Sequence, residues 1–181
     1  GYIESDHFSE QPVSNLRRAI QDLDSKGALD KGLVLDLREN TGGSMIQAAR
    51  AADLFVPEGE LVSTVGPGGS PVRGLVPSIN ALDDGRDRDV ALVVLQDHRT
   101  ASGSEIVAGT LRELGRTILI GETSYGKGTV QKVYTLRKDV RMKLTVARYL
   151  LHGGLGITEE GLNPDVPLAY VQLGEHGMRV G

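Results

Sequence analysis

Helix-like and strand-like patterns alternate along the first two thirds of the chain. Three segments have the apolar spacing of amphipathic or Ala-rich helices, at 12–26, 44–55 and 102–114. Three short apolar runs are typical of buried strands, at 32–37, 90–95 and 117–120. A polar turn and then a helix follow each of the first two strands, so the sequence predicts two β-loop-α units.

The pattern changes in the last third of the chain. Strand-like segments are predicted there at 129–136, 140–146 and 147–151, with turns at Lys138-Asp139 and Gly153-Gly154. Earlier in the chain, residues 66–88 contain five Gly, three Pro and most of a charge cluster at 83–89, without sustained periodicity, which predicts a long flexible excursion. The whole pattern indicates an α/β fold in a single domain, 1–181, with a β-rich C-terminal third.

Composition narrows the function classes. A chain of 181 residues suits one domain, and 39% hydrophobic with 24% charged residues is ordinary for a globular protein. A net charge of −4 and only 4% aromatic residues argue against nucleic-acid binding. No run of eighteen apolar residues exists, so the sequence predicts no integral membrane segment.

Metal and cofactor chemistry has little support. The chain has no Cys, which excludes disulfides and a Cys nucleophile, and its four His form neither HxxxH nor HExxH spacing. Segment 121–128 matches the GxxxxGK pattern of a phosphate-binding loop. However, Gly128 replaces the hydroxyl residue that holds Mg²⁺, and strand-like alternation follows instead of a helix. We therefore expect no metal and no cofactor.

Ser102 allows two interpretations from the residues alone. As the first residue of a helix with Glu105 three positions later, it fits a capping box. As a nucleophile, it would lie at the positive end of that helix, beside a Gly103 amide able to donate to an oxyanion. A nucleophile needs a base, for which the candidates are His98, next to Asp97, and Lys127, flanked by two glycines.

Four motifs follow one another in the chain: Leu35-Asp36-Leu37-Arg38-x-Asn40-x-Gly42-Gly43, Thr100-Ala101-Ser102-Gly103-Ser104-Glu105-Ile106, Gly121-Glu122-Thr123-x-x-Gly126-Lys127-Gly128-Thr129-Val130-Gln131 and Gly161-Leu162-x-Pro164-Asp165-Val166. In this order, over residues 1–168, they resemble the carboxyl-terminal processing (tail-specific) serine proteases. Two positions depart from the usual family pattern: Thr41 stands where Pro is usual, and Gly103 where Ala is common.

The resemblance implies a crotonase/ClpP-like α/β core and a Ser-Lys mechanism. Ser102 is the implied nucleophile, Lys127 the general base held neutral in a dry pocket, and Gln131 the residue that orients it. Gln131 follows Lys127 by four positions, and even spacing on a strand would place both side chains on one face. Backbone amides near Gly42 or Gly43 and at Gly103 are the implied oxyanion hole.

The resemblance also implies protein substrates that are cleaved near their C-termini through an acyl-enzyme, in an exported protein. The chain starts at Gly1 and nothing in it resembles the family's peptide-binding PDZ domain, so we expect a catalytic core without its tail-binding module. The alternative is a proteolytically inactive peptide- or lipophile-binding module on the same scaffold, because a fold alone does not establish activity.

Overall fold

The described part of the chain forms a five-stranded sheet, a four-stranded sheet, a two-stranded sheet and three α-helices. The structure is a computed structural model that describes residues 1–8, 12–82 and 88–168, together with the backbone of 173–174 and 177–178. The helices are α1 (Pro12–Ser25), α2 (Met45–Ala52) and α3 (Gly103–Glu113). The strands are β1 (Tyr2–Glu4), β2 (Leu33–Asp36), β3 (Glu60–Val65), β4 (Ser78–Asn80), β5 (Leu92–Gln96), β6 (Thr117–Gly121), β7 (Thr129–Arg137), β8 (Val140–Leu151), β9 (Val166–Pro167), β10 (Leu173–Gly174) and β11 (Gly177–Met178).

The first sheet is parallel throughout, in the order β1-β2-β5-β6-β9. Its two β-loop-α units are β2 with α2 and β5 with α3, and they confirm the α/β prediction. Strand β2 pairs with β5 from Leu33↔Leu92 to Asp36↔Leu95, and β5 pairs with β6 through to Gln96↔Gly121. This register aligns the carboxyl ends of the three strands, so the loops that follow them meet at one edge of the sheet.

The second sheet is antiparallel, in the order β4-β3-β8-β7. The two strand-like segments predicted at 140–146 and 147–151 form a single strand, β8, because no turn residue separates them. The predicted turn at Lys138-Asp139 joins β7 to β8. The outer part of this β7–β8 hairpin is exposed along both strands.

Helix α3 joins the two sheets, since it packs on both β6 and β8. Its Gly109 lies so close to the Leu151 side chain that no Cβ would fit there. Helix α2 packs on α3 and on α1, and its four alanines Ala48, Ala49, Ala51 and Ala52 are buried. The core around them includes the fully buried Phe8 and Phe55, and each such side chain contributes about 1.5–3 kcal/mol of burial free energy.

The predicted excursion at 66–88 is partly regular. Pro67–Gly69 forms a 3-10 turn, and β4 pairs with β3 through Ser63↔Ser78. A three-residue strand is too short to show a period of two in the sequence, so β4 was not predicted. Residues 83–87, with most of the charge cluster, lie outside the described residues, and the flexibility of the excursion stays a prediction.

Candidate active site

Ser102 lies where three loops meet at the carboxyl edge of the parallel sheet. The loop after β2 carries Gly42, the turn after β5 leads to Ser102, and the loop after β6 carries Lys127. Ligand sites of open α/β sheets form at this edge, outside the carboxyl ends of the strands. The topology therefore brings together three of the four sequence motifs.

The backbone of Ser102 is held in an unusual conformation. Its φ of 56° and ψ of −114° match the first central residue of a type II′ turn, a position that favours Gly. Such conformations cost about 1–3 kcal/mol in a residue with a Cβ and occur where function or packing imposes them. Ser102 is 8% exposed and precedes the first residue of the eleven-residue helix α3. Its hydroxyl thus lies near the positive end of the helix dipole.

The predicted capping role of Ser102 is also visible. Ser102 is the N-cap residue of α3, and the Glu105 carboxylate accepts its backbone N–H at 2.8 Å, as in a capping box. Capping and nucleophilic attack are compatible, because the bond to Glu105 uses the Ser102 backbone and not its side chain.

The three glycines assigned to the oxyanion hole lie beside Ser102. Asn40 links the loop after β2 to the turn after β5, because its carbonyl accepts from the Ala101 N–H and the Ser104 hydroxyl, each at 3.0 Å. Gly42 has a φ of 92°, and a Cβ there would lie 2.6 Å from the Gly103 nitrogen and 2.9 Å from Ser102 Cβ. A Cβ on Gly103 would in turn lie 3.2 Å from the Gly43 nitrogen. The glycines permit this close backbone approach.

Lys127 and Gln131 are exposed in this structure, which differs from the dry pocket that was expected. The Lys127 backbone N–H donates to Glu105 Oε2 at 2.8 Å, which fixes the loop against the start of α3. Within residues 1–8, 12–82 and 88–168, the Lys127 amine makes no hydrogen bond or ion pair. The structure therefore brings the backbone of Lys127 to the site, but not its amine to the Ser102 hydroxyl.

His98 does not form a triad with Asp97 and Ser102. The Asp97 carboxylate accepts backbone N–H groups of Glu39, Arg99 and Thr100, each at 3.0 Å, and so shapes its own turn. The His98 side chain is 71% exposed, and its Nδ1 lies 2.7 Å from Glu122 Oε2. The hydrogen bond with Glu122 raises the pKa of His98 above its ordinary value.

Two further residues at the site, Glu105 and Tyr149, were predicted only in part or not at all. Glu105 was predicted only as a helix cap, yet its buried carboxylate accepts four hydrogen bonds. Tyr149, on β8, was not predicted at all. Burial raises the pKa of Tyr149, and a hydrogen-bonding interaction with the Ser102 side chain partly offsets that rise. The A-S-x-S-E motif could have pointed to Glu105, whereas no local pattern marks Tyr149.

Segment 121–128 does not form a phosphate-binding loop. Strand β7 begins at Thr129, directly after Gly128, where a phosphate site would need a helix N-terminus. Within the described part of the chain, no group of three or more His, Asp or Glu is arranged to hold a metal ion.

Comparison with known proteins agrees with the four motifs. A family model described as Peptidase family S41 matches residues 1–168. The chain belongs to peptidase family S41. The predicted resemblance to a family of peptidases is therefore confirmed.

Individual S41 relatives bear names that match the predicted resemblance. The chain is 39% identical to the carboxy-terminal-processing protease of Bartonella bacilliformis, over 92% of this chain and 38% of that protein. It is 38% identical to the carboxy-terminal processing protease CtpA of Bacillus subtilis, over 92% of this chain and 34% of that protein. The structure of a photosystem II D1 C-terminal processing protease superposes with a TM-score of 0.81 at 33% identity, over 93% of this chain and 42% of that one.

The chain thus spans less than half the length of these relatives. Structures of mature CPAF share the fold, with a TM-score of 0.72 at 13% identity. None of the helices in the described ranges is long and apolar enough to cross a membrane.

Proposed function

We propose that this chain is the catalytic core of a serine endopeptidase that cleaves protein substrates near their C-termini. Ser102 is the nucleophile, Lys127 the general base, and Gln131 the residue that orients the lysine amine. The observation that carries the proposal is the strained Ser102 turn, at a helix N-terminus and beside three closely packed glycines, in a chain of family S41.

The proposed reaction has two halves. Ser102 Oγ attacks the carbonyl carbon of the scissile bond while the neutral Lys127 amine takes the hydroxyl proton. The Gly103 N–H and an N–H at Gly42 or Gly43 donate to the developing oxyanion. Lys127 then gives the proton to the leaving amine, which leaves an acyl-enzyme on Ser102. Water, deprotonated by Lys127, hydrolyses the ester and restores the serine.

The exposed Lys127 side chain requires a movement before this chemistry. Its backbone is anchored by Glu105, and the flexible four-carbon stem carries the amine. We propose that substrate in the site draws the amine from solvent to Ser102, because apo sites are often looser than substrate complexes. The exposed position described above is then a resting arrangement.

A serine-directed fluorophosphonate probe tests the assignment. We expect the probe to label the wild-type chain on Ser102 and to fail with Ser102→Ala. Lys127→Ala should be as unreactive, Gln131→Ala should be impaired less, because the base remains, and His98→Ala should react normally. If the probe labels none of these proteins, the chain is an inactive peptide- or lipophile-binding module. If His98→Ala loses labelling while Lys127→Ala keeps it, the base is His98.

Substrates and location belong to the same proposal. We propose that the partners are proteins recognised by their C-terminal tails and that the protein acts after export. Relatives named as chloroplastic peptidases, such as the one from Tetradesmus obliquus, support action in a separate compartment. Fractionation of cells that express the whole protein, with immunodetection of this chain, tests the location.

A further inference from the structure

Glu105 is a buried carboxylate at the centre of the site. It is 0% exposed and lies on the first turn of α3. Its Oε2 accepts the backbone N–H groups of Ser102 and Lys127, each at 2.8 Å. Its Oε1 accepts the Ser124 hydroxyl at 2.6 Å and the Gly126 N–H at 2.7 Å. All four partners donate, so both oxygens must be acceptors.

This pattern ties two parts of the chain to one side chain. Ser102 begins α3, while residues 124–127 form the loop that brings in the lysine. Ser124 extends the connection, because its hydroxyl donates to Glu105 and accepts the Leu162 N–H at 2.7 Å. Hydrogen bonds to a charged acceptor are about twice as strong as neutral ones. A single oxygen, Oε2, therefore restrains both the nucleophile's backbone and the base's backbone.

We propose that Glu105 is a positioning residue that holds the loop of the general base in register with the nucleophile. The inference deepens the proposed function and rests on it. Because the Ser102 and Lys127 N–H groups meet at one oxygen atom, neither backbone can move away without breaking a bond to it. The lysine amine swings from this fixed anchor, so its reach to Ser102 Oγ is set by Glu105. Glu105 itself touches neither substrate nor the transferred proton.

The variant Glu105→Gln separates the hydrogen-bonding role of Glu105 from the size of its side chain. Gln has the size of Glu but only one acceptor oxygen, and its NH₂ group would face N–H donors. In Glu105→Gln, the NH₂ group faces either the Ser102 and Lys127 N–H groups or the Ser124 hydroxyl and the Gly126 N–H, so the lysine loop loses at least one acceptor in either orientation. Glu60→Gln is a matched control, because the Glu60 carboxylate accepts the Ser63 and Ser78 hydroxyls on the antiparallel sheet.

The experiment combines hydrogen exchange with chemical labelling. Backbone amide exchange is measured by NMR at Ser102, Gly126 and Lys127 in the 181-residue chain, with its melting temperature. The rate of fluorophosphonate labelling is followed against pH. We expect Glu105→Gln to accelerate exchange either at Gly126 or at both Ser102 and Lys127, to slow labelling about 100-fold and to change the shape of its pH profile. Glu60→Gln should change neither exchange nor labelling, whatever it does to the melting temperature.

Each outcome separates the two hypotheses. If wild-type chain labels and Glu105→Gln labels at the same rate with the same pH profile, the positioning role is wrong. A lower melting temperature with unchanged exchange at Ser102, Gly126 and Lys127 also overturns it, since Glu105 is then only a helix cap. If wild-type chain never labels but Glu105→Gln frees the amides, the anchor is real and the proposed function is wrong.

A second variant covers a failure to fold. Glu105→Asp keeps the charge but shortens the side chain by one methylene, so it cannot reach both segments at once. We expect Glu105→Asp to fold, to protect one of the two amides and to lose protection at the other. Full protection of both amides in Glu105→Asp would overturn the proposal.

Discussion

At the scale of single residues, Ser102 has a strained backbone conformation and is almost fully buried. A Gly would relax the type II′ geometry, whereas an Ala would keep the strained Cβ and lose only the hydroxyl. Relief of about 1–3 kcal/mol of strain is partly offset by the 0.5–1 kcal/mol that Gly costs in backbone entropy. The strained backbone thus lowers the stability of the fold and places the Ser102 hydroxyl at the site.

We therefore predict that Ser102→Gly is more stable than Ser102→Ala by about 1 kcal/mol, while both variants lack peptidase activity. Urea unfolding of the two variants measures the difference. The same exchange at Ser104, which lies inside α3, serves as the control, because Gly is unfavourable within a helix. Equal stability of the two Ser102 variants would show that the turn is not strained.

His98 gives a prediction about pH. Its hydrogen bond with Glu122 raises its pKa, so the contribution to stability is complete below the unfolded pKa of about 6.5. That contribution is lost as the pH rises through the folded pKa. We expect NMR titration of the His98 ring to show a raised pKa, and Glu122→Gln to return it to about 6.5. Glu159→Gln, in another loop, should leave the titration unchanged.

At the scale of elements, the sequence predicted the strands and helices that have a long or clear period. Helices α1, α2 and α3 and strands β2, β5, β6 and β7 begin and end within a few residues of the predictions. Strands β1, β4 and β9 have two or three residues each, and β3 shows a polar-apolar pattern too brief to distinguish from its surroundings. Their positions depend on pairing with distant strands, which local pattern does not contain.

The candidate site shows the same limit. Motif spacing predicted which loops carry Ser102, Lys127 and Gln131, but not where the side chains point. The argument from even spacing does not apply to Lys127, because that residue precedes β7, which begins at Thr129. The convergence of four donors on Glu105 likewise depends on tertiary contacts.

The loop ahead of β7 gives a prediction about packing. Gly128 is so close to the Ile157 carbonyl that a Cβ would overlap it, and that Cβ would lie 2.9 Å from Ile157 Cβ. We expect Gly128→Ala to displace the Lys127 loop, to lower the melting temperature and to reduce activity. Gly156→Ala is the matched control, because its nearest neighbour, Leu150 Cδ2, would be 3.9 Å away. Normal activity and stability in Gly128→Ala would contradict the close approach.

At the scale of the whole molecule, delivery of substrate is separate from the chemistry. We expect the 181-residue chain to act slowly on a tailed protein, because no residue of it is assigned to hold a C-terminal carboxylate. Joining a domain that binds such tails ahead of Gly1 should raise kcat/KM, since a tether supplies an effective concentration in the millimolar range. Steady-state assays on one substrate with and without its tail measure the effect. Equal kcat/KM for both proteins would show that tethering is unnecessary.

The pairing of β3 with β8 sets the order in which the chain can fold. Val62 on β3 pairs with Leu151 on β8. Strands β5 and β6 of the parallel sheet also follow β3 in the sequence. On a ribosome that adds about 5–20 residues per second, β3 emerges several seconds before its partner. Leu61 and Val62 are fully buried in the folded chain, but during that interval they are exposed to solvent or to a chaperone. Long-range pairing of this kind folds slowly, so newly made chains are most vulnerable to aggregation before β8 arrives.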